Sequence, residues 1–370
     1  MKILGINALN HDAGICLIED NKILFAAHAE RYSGIKNDPN LNLEMFMDMW
    51  DYGVPNKIVY FENPYVKKMR QLYAGQYGEV FSRKNMPLNH LTEVLSVVEG
   101  SQPRIDQYVD HHLSHASSTY FTSPYDESAV VCIDAIGEFD TITIWYAKGD
   151  KLEKRWSTWY PHSLGLWYSA MTQRLGLKPQ EDEYILMGMA AWGKIDRNIM
   201  NELYEDFFVK GLDFKLKNNL HRGCMDWNSD YYPDDGTDEW KFTIAANVQA
   251  ICEMEIQKIF DKLPTLVPET TNVCYSGGVA LNCVANSQIV QKYPNLWILP
   301  NPGDCGSSLG CAAYVNGKHL DFMENGAFLG YNIEGDYPVK PVLDELLKGN
   351  LVGVANGRAE YGPRALGNRS

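Results

Sequence analysis

The 370-residue chain has no CxxC pair among its eight cysteines, no apolar run of eighteen residues, and fewer bases than acids. Each absence excludes something. The scattered Cys16, Cys132, Cys224, Cys252, Cys274, Cys283, Cys305 and Cys311 build neither a disulfide frame nor a zinc ribbon, and read as buried free thiols in a reducing cytoplasm. Lack of a long apolar run excludes a membrane-spanning helix, and the Met1-Lys2-Ile3-Leu4-Gly5 start lacks the apolar stretch of a signal peptide. The 47 acids against 33 bases, a formal charge of −14, argue against non-specific binding to nucleic acid or an anionic membrane. Walker A and GxGxxG loops are also missing. What is present suits a soluble globular protein: 45% hydrophobic and 22% charged residues, over a length that predicts two or three domains.

Ile3-Leu4-Gly5-Ile6-Asn7 reads as a strand, followed by a break at Asn10-His11-Asp12-Ala13-Gly14. Ile15 to Ile18, the turn Glu19 to Lys22, and Ile23 to Ala27 then make two more strands, and such short connections force antiparallel neighbours. The pattern recurs. Ala129 to Asp134 is a continuous apolar strand, Ala135 to Glu138 a break, Thr141 to Tyr146 a strand, Lys148 to Lys151 a turn, and Leu152 to Trp156 a strand. Two ribbons of roughly thirty residues, each followed by helix-rich sequence, predict a duplicated α/β protein with a cleft between its halves.

Further on, Ile244, Val248, Ile251, Cys252, Ile256, Ile259 and Phe260 recur at helical spacing. Val273-Cys274-Tyr275 predicts a strand, Val279 to Val290 a helix, and Leu296 to Leu299 a strand closed by prolines. The acidic, aromatic stretch 196–240 reads as a peripheral insertion, a lid or a substrate-facing loop. From about Tyr337 a new unit begins, with a helix through Val339, Val342, Leu343, Leu346 and Leu347 and a strand at Leu351 to Ala355. The expected division is therefore 1–125, 126–336 and the start of a truncated domain at 337–370.

Three of the nine histidines fall in His111-His112-Leu113-Ser114-His115. On a helix His111 and His115 are one turn apart on one face, close enough to share a cation, or simply to line a polar face. Asp134 closes the buried strand of the second ribbon, and Asp304 follows another strand. Ligand sites gather at such strand ends, although a turn cap or a helix cap is the plainer role for each aspartate. Two imidazoles with two carboxylates suit Fe²⁺, Mn²⁺ or Zn²⁺ better than Mg²⁺ or Ca²⁺. Ser276-Gly277-Gly278-Val279-Ala280-Leu281-Asn282 is a strand–glycine–helix turn, either a phosphate cradle or a tight connection, and Gly137-Glu138 and Gly306-Ser307-Ser308 are comparable amide-rich turns.

These residues, taken with several further strings, resemble the carbamoyltransferase family of the nodulation and antibiotic O-carbamoyltransferases. The strings are His11-Asp12-Ala13, Glu30-Arg31-Tyr32, Ile35-Lys36-Asn37-Asp38, His162-Ser163-Leu164-Gly165, Glu183-Tyr184, Met187-Gly188-Met189-Ala190, Pro302-Gly303-Asp304 and the closing Glu360-Tyr361-Gly362-Pro363-Arg364-Ala365-Leu366-Gly367-Asn368-Arg369-Ser370. The resemblance implies a duplicated actin-like (ASKHA) ATPase fold, two subdomains with a central cleft, related to the tRNA threonylcarbamoyl-transfer proteins. It implies that carbamoyl phosphate and ATP give carbamoyl adenylate on a C-terminal synthase-like domain, and that the carbamoyl group then passes to the hydroxyl of a small acceptor. By the same resemblance His111, His115, Asp134 and Asp304 hold a divalent metal, Fe²⁺ first among the candidates. Gly137, Glu138, Glu183, Gly188, Ser276, Gly277, Gly278 and Asn282 bind nucleotide, and His11 and Lys36 are catalytic, as base and as a positive charge on the donor. One departure is local: the family's glycine and lysine around the Glu-Tyr pair are Asp182 and Ile185 here. Because the chain ends where the synthase-like domain begins, a separate synthase-like chain becomes an expected partner. Other readings on this fold are a partner-dependent nucleotide-binding subunit, a tRNA threonylcarbamoyl-type transferase, which the acidic charge disfavours, and a sugar kinase, which has no use for the histidine pair.

Overall fold

The computed structural model describes residues 1–82, 86–98, 102–211 and 213–368; Arg369 and Ser370 of the closing string lie outside the described residues. Contacts divide the chain into two units, Met1–Pro124 with Leu299–Ser370, and Tyr125–Ile298.

In the first unit the opening ribbon forms as its turns predict. β1 (Lys2–Asn7) and β2 (Gly14–Glu19) pair antiparallel from Lys2 with Glu19 to Asn7 with Gly14, and β3 (Lys22–His28) continues the meander. β4 (Lys57–Tyr60) lies parallel to β1, and β5 (Gln107–Tyr108) parallel to β4, so the sheet order is β3-β2-β1-β4-β5. β1 is central and buried from Ile3 to Asn7, which explains its unbroken apolar run.

The second unit repeats this order. β6 (Glu127–Gly137), β7 (Asp140–Lys148) and β8 (Lys151–Trp159) form the antiparallel meander, while β9 (Val273–Ser276) and β10 (Leu296–Ile298) add parallel strands beyond β6. The order β10-β9-β6-β7-β8 is that of the first sheet, strand for strand. Each unit thus carries the same five-stranded mixed sheet, and the chain has the duplicated actin-like α/β fold.

Several expectations need correction. The stretch 196–240 is not a peripheral insertion. It holds a helix at Arg197–Phe207, and Leu203, Phe207, Phe208, Leu216 and Trp240 enter the core of the second unit. Ile199, Phe214, Leu220 and Cys224 of the same stretch bury as well, while Tyr231 stays exposed. Residues 299–336, expected with the second subdomain, pack with the first, because the Ser307–Asn316 helix lies against β1, β2 and the His111–Tyr120 helix. No strand forms at Leu351 to Ala355. The pairing is made by β12 (Gly357–Glu360) against β11 (Phe328–Ile333), starting at Gly357 opposite Ile333, while Leu351 stands in solvent. The Val339–Leu347 helix does form, with no buried residue. All eight cysteines are free, and only Cys283 is exposed. Among the described residues no helix is long and apolar enough to cross a membrane.

Two backbones approach closely at the helix pair of the first unit. A Cβ on Gly310 would lie 1.9 Å from the carbonyl oxygen of Ser114, in the middle of the His111–Tyr120 helix. Gly310→Ala must therefore push the two helices apart, and overpacking of this kind costs about 3 kcal/mol. Urea denaturation should show that loss, whereas Gly353→Ala, where a Cβ would meet nothing within 4 Å, should leave stability near that of the native chain.

Candidate functional site

His111 opens a helix that runs to Tyr120, just beyond β5. The one-turn spacing brings the Nε2 atoms of His111 and His115 to 3.1 Å, with both rings fully buried. Asp304 arrives from the turn Asp304–Gly306 that leads into the Ser307–Asn316 helix. Its Oδ1 lies 3.4 Å from His111 Nε2 and 3.3 Å from His115 Nε2.

Three donor atoms this close in a buried place fit a single cation. Ligands at about 2.0–2.2 Å from an ion, separated by octahedral or tetrahedral angles, stand about 2.8–3.6 Å apart. The far sides of the two rings are also engaged. His111 Nδ1 is 3.7 Å from Glu62 Oε2, and His115 Nδ1 is 3.4 Å from Ser307 Oγ. With a cation on the two Nε2 atoms, each Nδ1 would carry the ring proton and turn it toward Glu62 or Ser307. Glu62 in turn meets Lys67 Nζ at 2.5 Å. Burial pushes the Glu62 carboxyl up, but the Lys67 ammonium and His111 outweigh it and hold the group below its ordinary range.

The His11 loop closes around Asp304 from another side. Asn10 Nδ2 donates to Asp304 Oδ2 at 3.0 Å, and His11 Nε2 stands 3.4 Å from the same oxygen. Asp12 Oδ2 lies 3.0 Å from His11 Nδ1. Leu9 and Asp12 both take positive φ, which makes the loop tight enough to turn His11 inward. Asp12 and Ala13 donate their N–H groups to the carbonyls of Asn37 and Asp38, so the Lys36 segment lies alongside, with Lys36 exposed. The first unit therefore gathers His11, His111, His115 and Asp304, with Lys36 on the adjoining strand of loop.

In the second unit Asp134 falls where the β6–β7 register shifts, between Ile133 and Gly137, and its Oδ1 accepts from Gly278 N at 3.0 Å. Gly277 has φ +92°, and a Cβ there would lie 2.2 Å from Ile133 O. That conformation ends β9 and breaks the expected helix. Gly278–Leu281 is a single 3-10 turn, and the helix begins only at Cys283, capped by Asn282 Oδ1 on Ala285 N. Asn282 also exchanges two 3.0 Å bonds with the amide of Gln249, which accepts from Tyr168. The next residue, Ser169, donates to Glu183 Oε1 at 2.7 Å, so one helix braces both Asn282 and Glu183. Ser276 is buried at the end of β9, and Glu138, after Gly137 at the end of β6, is buried with φ +56°. Gly188 is exposed on the Glu183–Met189 helix.

Glu62 and Gln249 were not singled out by the sequence reading, and Asn10 and Ser307 entered it only as members of the Asn10-to-Gly14 break and the Gly306-Ser307-Ser308 turn. Glu62 carried the same signal as Asp134, a carboxylate closing an apolar strand run, Ile58-Val59-Tyr60-Phe61. Gln249 carried none, being one of several polar residues, with Asn247, Glu253 and Glu255, along a mostly apolar helix.

Paired sheets of one topology, with charged or glycine-bearing turns at their strand ends, define an actin-like α/β protein. Within that class the assignment is specific. The family profile described as "Carbamoyltransferase N-terminus" matches residues 46–313. An uncharacterized protein of Synechocystis, sll1178, is 32% identical over 440 aligned positions, covering 100% of this chain and 70% of its own length. Nodulation protein NolNO of Sinorhizobium fredii is 24% identical, over 98% of this chain and 58% of its own. The 3'-hydroxymethylcephem-O-carbamoyltransferase of Streptomyces clavuligerus is 34% identical over 123 residues, 28% of this chain and 23% of its own. The chain belongs to the carbamoyltransferase family.

Glu30 ties down the Lys36 segment by accepting from Asn37 N at 3.3 Å. Burial raises its pKa, but His28, the Asn37 amide and Arg31 bring it down to about 2. A carboxyl lowered on folding stabilises the protein above its unfolded value and loses that contribution as pH falls toward the folded one. Glu30→Gln should therefore be less stable than the native chain near neutrality, with the gap closing as pH falls from 4.5 toward 2. Denaturation midpoints measured across that range test it; a gap that stays constant would assign the loss to packing.

Proposed function

We propose that this chain moves a carbamoyl group from carbamoyl adenylate to the hydroxyl of a small acceptor, in a reaction that depends on a divalent metal. The observation carrying this reading is the convergence of His111, His115 and Asp304 in a buried centre of a carbamoyltransferase-family chain. Those three residues would hold the ion, Fe²⁺ first and Mn²⁺ or Zn²⁺ as alternatives. Bound there, the ion supplies Lewis acidity toward the negative charge of the adenylate and of the acyl-transfer transition state.

The remaining roles fall to the chain's own side chains. Asp12 accepts from His11 Nδ1, so Nε2 is the basic nitrogen that takes the acceptor hydroxyl's proton. Exposed Lys36 adds positive charge near the donor. The turns at Gly137-Glu138 and Ser276-Gly277-Gly278 would bring backbone close to phosphate oxygens, with Gly188 lining the same nucleotide and Glu183 on its ribose. Asn282, whose side chain caps a helix and pairs with Gln249, shapes that turn. Carbamoyl phosphate and ATP give the carbamoyl adenylate on a synthase-like domain that supplies it to this transfer site. The buried free thiols fit a cytoplasmic setting.

Two measurements check this. Elemental analysis and Mn²⁺ titration should find one bound divalent ion in the native chain and none in His111→Ala, while Glu62→Gln should bind about 10- to 100-fold more weakly. Full occupancy in His111→Ala would refute the ligand set. Mass spectrometry of hydroxylated acceptors, incubated with ATP, carbamoyl phosphate and a separate synthase domain, should show the gain of one carbamoyl group. The gain should vanish in His111→Ala and when the synthase domain is omitted.

A further inference from the structure

Asp304 reaches the histidine pair from a three-residue turn, and a turn that short does not fix a side chain by itself. What immobilises it comes largely from a distant part of the chain. Tyr361, 1% exposed, directs its hydroxyl at the carbonyl oxygen of Cys305, the residue after Asp304, at 2.7 Å. The same hydroxyl is 2.8 Å from Ser308 Oγ, and Ser308 Oγ is 2.8 Å from the Cys305 carbonyl. Three oxygens sharing two protons form a closed set around one peptide group, so the carbonyl of Cys305 is held from two sides.

Tyr361 is itself firmly seated. Its N–H donates to Ala327 O at 2.6 Å, and its ring stands edge-on to His28 at 5.7 Å. His28 Nε2 accepts from Asn301 Nδ2 at 3.0 Å, which anchors the other end of the turn. Beyond Tyr361, Arg31 donates to the carbonyl of Gly362 at 2.9 Å, and Glu360 Oε1 accepts from the amides of Leu366 and Asn368 at 3.2 and 3.0 Å. The segment 357–368 is thus a braced loop whose innermost side chain grips the peptide next to Asp304.

We infer that Tyr361 is a positioning residue for the metal centre: through Cys305 and Ser308 it holds the Asp304 turn at the spacing the histidine pair requires, so seating of the 357–368 segment and cation affinity are coupled. The cation half of this inference rests on the metal reading above; the grip on the turn does not. Positioning partners of metal ligands typically carry 10- to 100-fold of affinity. Tyr361→Phe removes the hydroxyl while keeping the ring against His28, so Ser308 still supplies one donor and the fold is retained.

The test compares native chain, Tyr361→Phe and, as a control in the other unit, Tyr293→Phe, which loses a buried hydroxyl donating to Phe260 O at 2.8 Å. Hydrogen exchange of the metal-free proteins is read on peptides spanning 301–309, and Mn²⁺ affinity is measured by chelator competition. In Tyr361→Phe, exchange over 304–308 should rise about tenfold and Mn²⁺ affinity fall about tenfold, with the thermal midpoint close to native. Tyr293→Phe should change neither. Unchanged exchange in Tyr361→Phe would overturn the grip, and faster exchange with unchanged Mn²⁺ affinity would overturn the coupling. A native chain that binds no Mn²⁺ would bring down the metal reading and the coupling with it, while the exchange data still decide the grip.

Discussion

The first unit depends on a backbone-to-backbone contact between the helix of the histidine pair and the helix that follows Asp304. Gly310 has no Cβ, so the Ser307–Asn316 helix rests on the carbonyl of Ser114. Gly5, on the opposite side of the same helix, lets β1 approach Ser308 just as closely. A helix clamped between strand and helix at such short range has little freedom to slide. The turn at its N-terminal end starts from a fixed helix, and Tyr361 then holds the peptide next to the carboxylate.

That arrangement explains how the chain keeps polar groups in a dry place. His111, His115 and Asp304 are as buried as the apolar core, which is costly unless each polar atom meets a partner. Glu62 and Ser307 stand behind the imidazoles, and Asn10 donates to the aspartate. The second unit solves a different problem at its strand ends. It spends few charges there, using Asp134 to hold one amide and Gly277 to bring backbone against backbone.

Much of this was legible from local pattern. Alternation, short polar turns and the repeat of the ribbon predicted both meanders, and four-residue spacing predicted the His111–His115 pair. Position after an apolar strand pointed to Asp134 and Asp304. The misreadings have physical causes. Val279, Ala280 and Leu281 look helical, yet the conformation of Gly277 and the cap at Asn282 delay the helix to Cys283. Leu351 and its neighbours have strand propensity but make no more than a lone bridge at Ala355, with Leu351 in solvent, and propensity without a paired strand does not make a sheet. The membership of 299–336 in the first unit is a matter of long-range packing that no local window contains. In the 196–240 stretch, low regularity concealed individual aromatic residues that the core takes up one by one.

Of the eight thiols, seven are enclosed by protein and Cys283 alone meets solvent. It is also the first residue of the helix that the Asn282 cap begins, immediately after the glycine turn. A maleimide dye added to the native chain has one place to go, and that place sits beside the loop whose shape the second unit takes such care to fix. The wild-type sequence thus comes with its own attachment point for an optical reporter, with no engineered cysteine required.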